Sequence, residues 1–155
     1  PNWAICGNAG RSGNENVDNI VERSGAVIKT DRVPRKVESL DENFLIIRAD
    51  SMIAPSRVGS GFHLYGVDMC IQAELRGWSA YAIEFIVYHK GLALYGPEYW
   101  RAKEQLEKFY GHVFRNRKIG TLVRSLYIAS PIGWPGFYWI RRRNDFRKWR
   151  LKRRR

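Results

Sequence analysis

Residues 3–6 are an uninterrupted apolar run, Trp3 to Cys6, stopped by Gly7-Asn8-Ala9-Gly10, which is the pattern of a buried strand. From Gly7 to Asn19 the chain is rich in Gly, Asn and Ser and predicts an exposed loop. Residues 26–30 carry the β-branched Val27 and Ile28, and residues 44–48 the stronger run Phe44-Leu45-Ile46-Ile47, so both segments predict strands. Pro55, Gly59, Ser60 and Gly61 mark a loop. Leu64, Val67, Ile71 and Leu75 then recur at three and four residues, and Gly77 follows where a helix C-terminus favours φ > 0. This predicts an amphipathic helix with Asp68 in or just before its first turns.

Residues 81–89 are apolar at nearly every position, as in a strand buried on both faces. Its approach from the preceding helix across Gly77-Trp78-Ser79 is an α/β connection. Tyr99, Ala102, Leu106 and Tyr110 form a second helical stripe, with Glu98, Arg101, Glu104 and Lys108 toward water. Residues 119–127 are expected to form a further helix. The pattern predicts an α/β fold, a mixed sheet with flanking helices, and contains no internal repeat.

Composition narrows the class. At 155 residues, with 45% hydrophobic and 14% aromatic residues, the chain has enough apolar content for one domain with a real core. No run of eighteen uncharged apolar residues occurs, and the most apolar late stretch, 127–140, is broken by Pro131, Gly133, Pro135 and Gly136. A start at Pro1 without a basic-then-apolar leader leads us to expect a processed or excised piece of something longer. Cys6 and Cys70 are too few for a disulfide framework and no CxxC occurs, which points to a reducing compartment and a cytoplasmic location.

The formal charge of +12 is concentrated in one segment. Residues 141–155 hold ten Lys or Arg against one Asp, a net +9, so the first 140 residues carry only +3. A dedicated nucleic-acid domain spreads its cations over a folded face, which argues against that class. Cations beside Phe146, Trp149 and the upstream Trp134, Phe137, Tyr138 and Trp139 suit an anionic membrane surface, at about 1 kcal/mol per nearby Lys or Arg. A peripheral position at the inner face of the membrane is the expectation. The alternative is a basic binding module that uses the Arg-rich tail on RNA phosphates or an anionic membrane.

A reaction that takes a proton from a hydroxyl needs a carboxylate within hydrogen-bond reach of it. Asp68, at a helix start after Gly59 and Gly61, is well placed, although Asp is also a preferred N-cap residue. His89 ends a strand where ligand crevices open in α/β sheets, and a neutral imidazole can ligate a Mn²⁺-like ion or simply bond to backbone. His63 can line an acceptor loop or lie on the surface. Asp41 can contact substrate or form a turn with Glu42. Gly7 to Gly13 lacks the Gly-Lys-Ser/Thr ending of a phosphate loop and reads as an ordinary turn.

Residues 61–78, which run Gly61-Phe62-His63-Leu64-Tyr65-Gly66-Val67-Asp68-Met69-Cys70 into Arg76-Gly77-Trp78, resemble the hallmark of GT-A type, family-two-like glycosyltransferases. In that family an aromatic-rich loop runs into an acidic residue, a D-L-C-L-R-A-like helix and a Gly-aromatic turn. Residues 40–48 resemble its "D-G-x-F-hydrophobic-R" strand, residues 3–10 the strand and glycine turn before it, and residues 86–91 the strand ending in His-x-Gly. The likeness covers roughly residues 3 to 91; each piece alone is weak, and the four in order are specific as a set.

The resemblance implies inverting transfer from a nucleotide-sugar donor to a glycan or lipid-linked acceptor. It makes Asp68 the catalytic base, Asp41, Gly61, His63 and Tyr65 substrate-binding residues, and His89 a ligand of a divalent cation, Mn or Mg. The family's Glu-Asp before the base position is Gly66-Val67 here, which leaves Asp68 as the candidate. The family's metal-binding Asp-x-Asp is absent. The expectation is therefore an acceptor-side, C-terminal half of a GT-A domain over residues 1–115, inactive by itself, followed by a helical and aromatic extension over 116–140 and a basic tail over 141–155.

Overall fold

The apolar run at the start is strand β1 (Trp3–Gly7), with Ala4 and Ile5 fully buried. The computed structural model describes residues 2–58, 61–89 and 96–130. Along the chain follow β2 (Ala9–Ser12), β3 (Glu15–Glu22), β4 (Val27–Lys29), β5 (Arg35–Val37), β6 (Ser39–Leu40) and β7 (Leu45–Ile47). Helix α1 (Tyr65–Leu75), β8 (Ser79–Ala82), β9 (Val87–His89), α2 (Pro97–Tyr110), β10 (Asn116–Ile119) and β11 (Leu126–Ala129) complete the order. The fold is mixed α/β, as the pattern predicts.

One sheet has the order β5-β8-β1-β7, with β1 parallel to β8 and antiparallel to β7. A second has the order β4-β3-β2-β6, and β9 joins it parallel to the far half of β3. β10 and β11 form a separate hairpin.

Helix α1 fixes how these parts meet. Its Met69, Cys70 and Ala73 pack into a core with Ala4, Ile5, Val17, Leu40, Ala80 and Ala82. Leu64, Val67 and Ile71 pack into a second core with Tyr99, Leu106 and Tyr110 of α2 and Ile119, Leu126 and Ile128 of the hairpin. At about 100° per residue these are two opposed faces of one helix, and Asp68 and Gln72, four apart, share the third. Burial on two sides carries that third face inward as well: Asp68 is 2% exposed. The helix stops at Gly77, φ 77°, where the amide of Trp78 donates to Ala73 O at 2.9 Å.

Three expectations need correction. Residues 7–19 are a hairpin of β2 and β3, buried at its base and exposed only around its tip at 13–16, in place of an exposed loop. Its glycine allows close approach, since a Cβ on Gly10 would lie 2.3 Å from Ser39 O. Its asparagines bond inward: Asn8 and Asn19 donate their side-chain amides to each other's carbonyls at 3.1 and 3.2 Å. Residues 81–89 are two strands in different sheets. Phe85, Ile86 and Tyr88 are exposed, and Phe85 stacks on Phe44 at 4.2 Å between ring centroids.

The helix expected over 119–127 is the turn and second strand of the β10–β11 hairpin, in which the Thr121 hydroxyl donates to Arg124 O at 2.8 Å. This hairpin is pinned to α2 from inside. Glu107 accepts from Lys103 at 2.6 Å and from the amide of Tyr127 at 2.7 Å, with both charged side chains buried. Residues 116–130 thus share a core with α1 and α2. The tail 141–155 and the end of the aromatic extension lie outside the described residues.

Candidate functional site

Asp68 lies in the first turn of α1 but does not cap it. The N-cap residue is Leu64, at φ 66° and ψ 10°, a left-handed conformation that costs a leucine on the order of 1–3 kcal/mol and is held by its packing in the second core. Asp68 instead ties three elements together. Its Oδ2 accepts from the amide of Ser56 at 2.6 Å and from Gln72 Nε2 at 3.2 Å, and its Oδ1 accepts from Tyr110 Oη of α2 at 2.5 Å. Burial first, and then this bond to Asp68, hold the Tyr110 phenol well above its usual range.

A cavity of about 330 Å³ opens beside this carboxylate, lined by Pro55, Ser56, Gly61, Phe62, His63, Leu64, Tyr65, Asp68 and Leu106. That volume lies at the lower end for small-molecule sites, and a mostly apolar wall with a few convergent polar groups is their usual character. Phe62 stands 85% exposed beside it. His63 is braced edge-on against Tyr99, ring centroids 5.7 Å apart. His63 and Leu64 also line a narrower cavity of about 60 Å³, which Ser39, Asp41, Glu42 and Thr121 share.

Four of the six residues expected from the sequence, Gly61, His63, Tyr65 and Asp68, therefore line one cavity. Asp41 lines the adjoining one. His89, at the end of β9, lines neither of the two, but it faces Asp41 closely enough to act on it electrostatically. Burial raises Asp41, and His89 opposes that rise. Among the described residues no three His, Cys, Asp or Glu side chains converge as a cation site needs.

Sequence reasoning treated Glu42 only as a turn residue. Burial, and then the neighbouring Asp41, push its carboxyl up to about 8. Its Oε1 accepts from the amide of Gly66 at 3.1 Å, and its backbone carbonyl from Tyr65 Oη at 3.3 Å. Two adjacent acidic residues ahead of a buried strand were the available signal; that a helix start folds against them is not local information. Tyr110 was visible as an apolar stripe position, without a sign that its hydroxyl reaches Asp68.

No protein-family model matches the sequence. The chain is 37% identical over 141 residues to a curated protein of Fuscovulum blasticum named "ATP synthase subunits region ORF 6". The match takes in 86% of this chain and 56% of that protein, so the chain spans little more than half the length of the relative. The relative's name assigns it no activity.

Proposed function

We propose that this chain is the acceptor-side part of a nucleotide-sugar glycosyltransferase, with Asp68 as the base. The observation that carries the reading is the Asp68 carboxylate set into the wall of a cavity of about 330 Å³, between Ser56, His63 and Tyr65. A carboxylate has about four acceptor positions. Three are occupied by Ser56, Gln72 and Tyr110, and the proposal gives the fourth, on Oδ1, to an incoming hydroxyl.

In the proposed reaction the acceptor hydroxyl passes its proton to Asp68 as its oxygen bonds to the anomeric carbon. The bond from that carbon to the donor diphosphate breaks, and the nucleotide leaves with the electron pair. A single displacement of this kind inverts the anomeric centre. Asp68 cannot turn away, because its donors come from the 53–58 loop, α1 and α2; such fixed placement is what an in-line attack requires. His63 and Tyr65 are positioned to orient a glycan or lipid-linked acceptor, and Asp41 lies one cavity further in.

His89, beside Asp41, is the residue that would help hold the divalent cation that the resemblance implies, with the donor diphosphate, and no step here runs through it. Among the described residues no helix is long and apolar enough to cross a membrane. The proposal assigns any membrane attachment to the tail 141–155, peripherally and at an anionic surface.

The test is Asp68→Asn in the full-length protein, assayed for sugar transfer beside Lys103→Met, which removes a buried ion pair away from the cavity. We expect Asp68→Asn to lose roughly a hundredfold or more in turnover at full folded fraction, the scale of a general base. The control should stay within tenfold of the parent once corrected for folded fraction. Turnover of Asp68→Asn within tenfold of the parent overturns the assignment.

A further inference from the structure

Helix α1 starts without a cap of its own. Leu64, at the N-cap, has no side-chain acceptor, and the first amides of a helix need partners from elsewhere. Glu42, from the link between β6 and β7, reaches across to Gly66 with its carboxyl, while its carbonyl takes the Tyr65 hydroxyl. Position 66 has to be glycine for this approach: a Cβ there would lie 2.6 Å from Leu40 O and 3.3 Å from Glu42 Oε1. When ionised, this carboxyl also answers the helix dipole.

We propose that Glu42 is a positioning residue of the Asp68 site: its carboxyl is the external cap that fixes the turn from Leu64 to Asp68, and with it the cavity lined by Gly61, His63, Tyr65 and Asp68. Its consequence for catalysis rests on the glycosyltransferase reading; its consequence for the cavity does not.

Burial shifts the cap toward its protonated form. Asp41 on the same link, Tyr65 and Cys70 on α1, and His63 in the shared narrow cavity surround Glu42; His89 acts on Asp41, and Asp41 on Asp18. Burial and Asp41 hold Glu42 up to about 8, and burial with Glu42 and Asp41 raises Tyr65. Two neighbouring buried carboxyls do not ionise together easily. Loss of the Glu42 proton converts the bond to Gly66 into a charge-assisted one, which is shorter and stronger.

The experiment is a ¹H–¹⁵N titration of this chain between about pH 6 and about pH 10, a range that brackets the Glu42 midpoint. The Gly66 amide should move with a midpoint near 8, more than other amides of α1. Glu42→Gln, whose amide oxygen can take the same bond, should abolish that movement with residues 61–68 close to the parent's, whereas Glu42→Leu, which has no acceptor, should displace the resonances of residues 61–68. Glu42→Asp keeps a carboxyl one methylene shorter, should fold, and should lose the Gly66 response. Asp41→Asn should lower the midpoint. A Gly66 amide that does not titrate, or a Glu42→Leu spectrum unchanged over 61–68, overturns the proposal.

In the full-length protein, Glu42→Leu should cut kcat roughly tenfold or more with donor KM within twofold, the scale of a small misplacement, while Glu42→Gln should keep kcat near the parent's and flatten the pH profile. Transfer with kcat unchanged in Glu42→Leu also overturns it. If Gly66 titrates as expected and the parent transfers no sugar, the cap stands and the glycosyltransferase reading falls.

Discussion

Tyr110 of α2 donates its hydroxyl to Asp68 of α1 over 2.5 Å, so the two helices meet at a buried carboxylate inside an otherwise apolar contact. Tyr110→Phe removes that donor and leaves Asp68 with two. A hydrogen bond to a charged group contributes about 1.5–3 kcal/mol. Urea denaturation should show a loss of that order with an unchanged m-value. Asp68→Asn should also be destabilised, because an amide nitrogen must then face one of the three donors. A variant as stable as the parent would mean that these bonds are not formed in solution.

The legible parts of this fold are those in which periodicity and burial agree. β1 and α2 have one buried side each, or are buried throughout, and their patterns announce it. α1 was legible as a helix, yet its two opposed buried faces were not, and that double burial takes Asp68 from a plausible capping residue to an interior carboxylate. The hairpin at 7–19 was missed because Gly and Asn usually signal solvent, whereas here Gly10 serves close strand approach and Asn8 and Asn19 bond to each other's backbone. In the stretch 81–89 hydrophobicity marks an exposed aromatic contact, Phe44 with Phe85, as well as a core.

The candidate site was legible as a cluster of residue types around 61–68. Its two supports, Glu42 and Tyr110, come from 24 residues before Gly66 and 42 residues after Asp68. No local pattern spans such separations.

Lys103 and Glu107 supply the second prediction. The stripe on α2 put Glu98, Arg101, Glu104 and Lys108 correctly toward water, yet this i,i+4 pair is buried, at 3% and 2% exposure. Breaking such a pair from one side leaves an uncompensated interior charge, typically costing 3–5 kcal/mol. Lys103→Ala should therefore destabilise by about that amount, and the loss should be read by chemical denaturation. A change below about 1 kcal/mol, the value of an exposed pair, would show that water reaches these groups.

Gly66→Ala sets two effects against each other. Alanine favours a helix over glycine by about 1 kcal/mol, which argues for stabilisation. The added Cβ would meet Leu40 O, a backbone atom, at 2.6 Å, and overpacking of this kind costs about 1–3 kcal/mol. We expect a net loss of stability, with altered amide shifts over residues 64–68 marking displacement of the α1 start. A net gain would mean that β6 moves freely from the helix.

The last prediction concerns pH. Glu42 is held at about 8 in the fold against an ordinary 4.5, so the folded chain binds this proton more tightly than the unfolded one. Its contribution to stability is fully present below 4.5 and is lost progressively as pH rises through 8. The buried carboxyl accounts for a loss on the order of a few kcal/mol across that window. Glu42→Gln has no proton to lose, so its stability should be nearly flat where the parent's declines, and its advantage over the parent should grow toward pH 9. Urea midpoints measured at about pH 5, 7 and 9 decide it, with the exposed Glu104→Gln as a reference for general charge effects. Parallel curves for parent and Glu42→Gln would show that this carboxyl is ionised and solvated well below neutral pH.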